Sequence, residues 1–449
     1  MVCIRPFTGW LYNRDTIDTL ELVVAPPYDV ITPAQQEQYY QRHPYNVIRL
    51  ILGKEEPGDN DQANKYTRAA AYLSSWQKEG ILKQVPKPAL YFYAQDYVLP
   101  NEGSRRRKGF ISLIRLEDFS AKAVLPHEKT LSKPKVDRLN LTLACRANFN
   151  PVFSLYADPS CTVESHMDAI STTPAYVDVT DDNGVRHQLW AVNDPAVIND
   201  VVTTLADKQV LIADGHHRYE TALNYRNLMR QQYPNATGNE AFNYTMMYFS
   251  NMNDVGLVIL PTHRIVKNLS FSLSDFLAKA SRFFDVESIP AGRENDDQVR
   301  RTVMSTMGQE SAGRFVFALY VKQDERYHVF RLKRYDLLDA EIVGTASPAL
   351  RHLDTYIVES LLFQKFLGIS ASDANREDHM AFAHADEEAV ALVKNGGYEA
   401  AFLVNTTRIE QVQDIVTQGE IMPQKSTYFY PKLYSGLVIR TIDPETIIS

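Results

Sequence analysis

The stretch "VLIADGHHRYETAL", residues 210–223, carries the densest chemistry in the chain. An apolar run ends at Asp214 and Gly215, and His216, His217 and Arg218 follow before the pattern turns helical. A helix N-terminus leaves backbone N–H groups without partners and carries partial positive charge, which suits an anion. Gly215 removes the side chain where a phosphate would approach the backbone. Arg218 offers a fork of donors matched to phosphate oxygens, and the two histidines add further donors. Asp214 would repel a bare phosphate, so its place is beside Mg²⁺ travelling with the phosphates, or against a histidine that it polarises. The plainer alternative is an Asp-Gly turn that caps a helix, with two surface histidines. Three donor residues in a row favour the phosphate reading. No HExxH or paired-cysteine spacing supports zinc.

Other segments add candidates. "PHEKT" sets His127, Glu128 and Thr130 together, and Glu128 is a candidate general base toward a substrate hydroxyl. His127, Thr130 and Asp29, the last in "APPYDVI", are candidate substrate contacts. "LPTHRIV" places His263 and Arg264 next to a strand, where they would add phosphate contacts. "MPQKSTYFYPK" contributes Lys425 and Lys432, which would close over an anionic ligand. Its "KST" echoes a phosphate loop, but no Gly-rich GxxxxGK precedes it. No GxSxG elbow supports serine hydrolysis.

The elements that must hold these residues are mixed. Helical spacing marks 34–43, 62–79, "INDVVTTLADK" and "YETALNYRNLMRQQY", while "ALYFYAQDYVL", "GFISLIRL" and "QVLIAD" read as strands. "PNEGSRRRKG" reads as a hairpin tip that leaves its arginines in solvent. Without a strict βαβ rhythm, the pattern indicates an α+β or mixed-sheet α/β fold. Three regions are expected: 1–150, a core at 151–270, and 271–449. Three cysteines without a CxxC pair point to reduced thiols and a cytoplasmic protein. No secretory leader or membrane span is recognisable, and the net charge of −8 argues against nucleic acid as a partner. Self-association is left open.

"IADGHHRYETA" resembles the signature of the ParB/sulfiredoxin-like superfamily, which includes free-serine kinases with a similar Asp-Gly-His-His-Arg loop. "APPYDVI", "HPYNVIRL", "PHEKTL" with "DRLNL", "ILPTHRIV", "LDTYIVESLL" and "MPQKSTYFYPKLYSGL" resemble the family known as Domain of Unknown Function 1015. The resemblance implies a ParB/sulfiredoxin-like core elaborated by N- and C-terminal α+β segments. It implies phosphate binding at Gly215, His216, His217 and Arg218, with Mg²⁺ at Asp214. The activity implied is phosphotransfer on a small hydroxylated metabolite, serine or phosphoserine in the first instance. The co-substrate would be a nucleotide, pyrophosphate or phosphate. Glu128, Asp214 and His217 would be catalytic, with Glu128 in the place of the kinase glutamate. The alternative is a non-catalytic nucleotide-binding regulator of ParB type.

Overall fold

Runs of aromatic and β-branched residues form strands where the chain can bury both of their faces. The computed structural model describes residues 1–100, 103–130, 132–267, 272–292, 295–342, 346–369 and 379–448. The chain divides into two units. The first comprises Met1–Pro126, Thr130–Val258 and Pro431–Ser449, and the second His127–Lys129 and Ile259–Tyr430. Position 150 falls inside the first unit, and the change of unit at 258/259 precedes residue 270.

The first unit is built on a nine-stranded mixed sheet. Its strands are β1 (Ile4–Arg5), β2 (Leu90–Leu99), β3 (Gly103–Arg115), β4 (Val124–Leu125), β5 (Val152–Tyr156), β6 (Val177–Thr180), β7 (Arg186–Val192), β8 (Val210–Asp214) and β9 (Tyr244–Asn251). The order is β4-β8-β5-β9-β3-β2-β7-β6, with β1 beside β3. The β4–β8 and β5–β9 pairs are parallel and the others antiparallel. Every residue of β9 is buried. Three helices frame the candidate residues: α1 (Lys65–Lys78), α2 (Ser132–Cys145) and α3 (His216–Gln232). From α3, Tyr219, Ala222 and Leu223 enter the core beside Ile212 of β8 and Met247 of β9.

The second unit carries a six-stranded antiparallel sheet of β10 (His263–Val266), β11 (Phe284–Pro290), β12 (Val316–Val321), β13 (Arg326–Leu332), β14 (Met380–Ala383) and β15 (Ala400–Leu403). Its order is β11-β13-β12-β15-β10-β14. One face packs aromatic residues, with the rings of Phe317 and Phe330 stacked 4.5 Å apart. The mixed α/β class expected from the sequence is the one found.

Two local expectations need correction. The basic run at 105–108 is not a solvated tip but part of β3, paired with β2 from Leu99↔Gly103 inward. Residues 101 and 102 of the expected tip lie outside the described residues. The pleat turns Arg107 into the interior, where it donates to Gln95 and to the Pro431 carbonyl and lies over the Phe153 ring. Helix α2, which contains Pro134, was not anticipated as a helix at all. Among the described residues, no helix is long and apolar enough to cross a membrane.

Candidate functional site

The candidate site in the first unit grows out of the end of β8. Four buried apolar residues anchor the strand, and the fifth, Asp214, reaches a half-buried position at its C-terminal end. Gly215 then takes φ +90°, a left-handed conformation that suits glycine, and serves as the N-cap of α3. The Tyr219 amide donates to the Gly215 carbonyl at 3.0 Å, the first bond of the helix. Tyr219 fixes the start of α3 from below: its hydroxyl donates to the Glu117 carbonyl and its ring stacks on Phe119. One glycine thus converts a strand directly into a helix.

Arg218 folds back over this turn. Its Nη2 donates to Asp214 at 3.1 Å and its Nη1 to the Pro151 carbonyl. Lys432 brings its ammonium to 3.6 Å from the same Asp214 oxygen. Burial is the largest single influence on the Asp214 carboxyl and raises it, but Lys432, Arg218, His216 and the Gly215 amide together outweigh it and hold the carboxyl far below the usual carboxylate range. Asp214 is therefore an ionised carboxylate inside a ring of positive charge. That environment does not suit a resident Mg²⁺, which would have to displace Arg218 and Lys432. Among the described residues, no group of three or more His, Cys, Asp or Glu could hold a metal ion.

His217 is half-buried, and burial lowers its pKa. Glu220 acts against that shift, Lys135 adds to it, and Asp29 and Asp214 also favour the proton. His217 is thus neutral at neutral pH. His216 is buried at 8% exposure. Around them, Glu220 accepts bonds from Thr130 at 2.9 Å and from Lys135 at 2.7 Å. Asp29 is exposed, and its neighbour Tyr28 lies under the Arg138 guanidinium at 3.9 Å. Burial first, then Asp29, pushes the Tyr28 hydroxyl up to about 12.

Of the sequence candidates, Asp29, Thr130, Asp214, Gly215, His216, His217 and Arg218 belong to this unit. His127, Glu128, His263, Arg264 and Lys425 belong to the other. There the Glu128 carboxylate accepts from the backbone amides of Lys425, Ser426 and Thr427 at 3.3, 3.0 and 3.1 Å. Lys425 holds a left-handed φ of +61° at this turn. The "KST" segment is therefore an anion nest, and the anion it binds is a carboxylate of its own chain. The His127 Nε2 lies 2.8 Å from the Thr427 hydroxyl. His263 is fully buried, receives the Val404 amide, and is pushed down to about 3 by burial. Arg264 donates to the carbonyls of Thr262 and Lys425. These contacts make the second group an internal polar network of its own unit.

Sequence reasoning passed over Lys135 and Glu220. Glu220 was legible, lying three residues beyond His217 and so on a neighbouring face of α3. Lys135 was not, because its helix was not recognised.

No curated protein matches this chain in sequence. Among solved structures, a conserved hypothetical protein from Pyrococcus furiosus is 13% identical, with 71% of this chain and 90% of that one covered and a TM-score of 0.33. A mutant of a free serine kinase in complex with ADP is 12% identical, with 71% and 87% covered and a TM-score of 0.34. SbnI with a C-terminal truncation, from Staphylococcus aureus, is 10% identical, with 75% and 85% covered and a TM-score of 0.32. The family model described as "Protein of unknown function (DUF1015)" matches residues 4–356, and the chain belongs to that family.

Proposed function

We propose that the turn at 214–218 binds the phosphates of a nucleotide or pyrophosphate, and that the protein transfers a phosphoryl group to or from a small hydroxylated metabolite of the serine and phosphoserine class. The observation that carries this reading is the meeting of a helix N-terminus with Lys432, Arg218 and His216 around one turn. Phosphoryl transfer depends on positioning and on compensating the charge of the transferring group, and this turn concentrates both. Asp214 keeps Arg218 and Lys432 in place. His217, neutral and flanked by Glu220, takes the hydroxyl proton in one direction and returns it in the other. Glu128 is assigned to the 425–427 turn and not to proton transfer. No step is assigned to Mg²⁺, whose requirement is a matter for titration.

The test is ³¹P NMR of the full chain with ATP, ADP or pyrophosphate plus serine, and in reverse with phosphoserine, with and without Mg²⁺. A new phosphomonoester or phosphate-donor signal is expected, reduced by two orders of magnitude or more in Arg218→Ala. Transfer absent with every donor, or undiminished in that variant, refutes the reading. Nucleotide binding without turnover would favour the regulator.

A further inference from the structure

Helices packed side by side place apolar residues where they face each other, yet α2 departs from this over about one turn and α3 over about two. A cavity of about 60 Å³ in the first unit is lined by Arg138 and Thr142 of α2 and by Arg218, Thr221 and Tyr225 of α3. The α3 positions are spaced three, four and seven residues apart, a single stripe along one face. The Thr221 hydroxyl and the Tyr225 hydroxyl belong to residues at 3% and 2% exposure, and neither has a hydrogen-bond partner among the described residues. The Arg218 Nε is likewise buried without an acceptor, although both of its Nη atoms are bonded. Buried polar atoms are satisfied in folded proteins, so three in the residues of one cavity wall indicate a site that a polar molecule completes.

The wall chemistry narrows the class of that molecule. Both charged side chains among the five are guanidinium groups, and no Asp or Glu is among the described residues that line the cavity. Hydroxyls and the Asn148 and Asn150 amides supply the other polar contacts. Each Arg138 nitrogen is already bonded, to Asp137 or to the Ile51 carbonyl, so the Arg218 Nε is the charge-assisted donor left to meet a carboxylate, and the Thr221 and Tyr225 hydroxyls meet hydroxyls. An ammonium group would find neutral acceptors only. One water needs about 10–15 Å³, so the cavity takes about four to six water-sized groups, the bulk of a three-carbon acid.

We infer that this cavity binds a small hydroxylated carboxylic acid without an amino group, at a site that shares Arg218 with the phosphate-binding turn but is lined by neither Asp214 nor His217. The inference does not rest on phosphoryl transfer: it would stand if the turn bound no nucleotide.

The test is calorimetric titration of the full chain with D-glycerate, L-lactate, L-serine and inorganic phosphate. The wild type is compared with Thr221→Val and Tyr225→Phe, two near-isosteric changes that remove one hydroxyl each. Tryptophan fluorescence checks that both remain folded. Glycerate or lactate should bind at least tenfold tighter than serine, and each variant should weaken that binding at least tenfold. ADP titrated into the same variants should bind as it does to the wild type, while His217→Gln should weaken ADP and spare glycerate. Four results overturn the inference: no hydroxy acid binds, as for a cavity that holds water alone; serine or phosphate binds as tightly as glycerate; both variants bind glycerate normally; or the variants lose ADP in parallel with glycerate, which would make the two sites one.

Discussion

Replacing Gly215 by alanine should separate the cost of a left-handed backbone from the cost of disturbing Arg218. Gly215 has φ +90°, and a Cβ there would lie 2.7 Å from the Arg218 Nε, 2.8 Å from Cζ and 2.9 Å from Nη2. Gly184 has φ +77°, and a Cβ there would meet nothing within 4 Å. Both substitutions incur the left-handed penalty of about 1–2 kcal/mol. Only Gly215→Ala also forces Arg218 outward, straining its bonds to Asp214 and to the Pro151 carbonyl. A hydrogen bond to a charged group contributes about 1.5–3 kcal/mol, so losing one brings the total for Gly215→Ala to about 2.5–5 kcal/mol, against about 1–2 kcal/mol for Gly184→Ala. The assay is urea unfolding followed by tryptophan fluorescence. Trp10, Trp76 and Trp190 are the only tryptophans and all lie in the first unit, so the signal reports that unit alone. ADP affinity, measured in parallel, should fall in Gly215→Ala and hold in Gly184→Ala. Equal destabilisation by the two changes would refute the claim that Arg218 is clamped across the turn.

The same contacts set three other outcomes. Lys432→Met removes the largest influence lowering Asp214. Because that carboxyl sits lower in the folded state than unfolded, its stabilisation is present above about pH 4 and is lost as pH falls toward the folded value. Lys432→Met should therefore shift acid unfolding of the first unit to higher pH and cost about 1–2 kcal/mol at pH 7. His217 is lowered in the folded state, so its protonation opposes folding: stability should decline as pH falls below about 6.5, and His217→Gln should abolish that decline. In catalysis, the acid limb of the pH–rate profile should lie below about pH 6.5 and vanish in the same variant. Glu128→Gln, which keeps an oxygen for the 425–427 amides, should retain turnover, whereas Glu128→Ala should destabilise the second unit by about 2 kcal/mol in denaturant unfolding followed by circular dichroism. Loss of turnover in a folded Glu128→Gln would restore that residue as the general base.

The sequence determined the things that depend on near neighbours. An apolar run, an Asp-Gly pair and a helical pattern are enough to specify β8, the turn and α3, because Gly215 alone permits the reversal. The mixed α/β class was legible for the same reason, since period and residue type act within a few positions. Tertiary structure decided the partners. Lys432 reaches Asp214 across more than two hundred residues, and Glu128 meets a turn 297 residues further on. Local composition read "RRRK" as solvent-facing, but pairing of β3 with β2 set the pleat and sent Arg107 inward. Packing also gave "KST" to a carboxylate of the chain instead of a phosphate. Pattern specifies which residues share an element. Which charges end up facing one another depends on how distant elements pack, and no spacing along the chain encodes that.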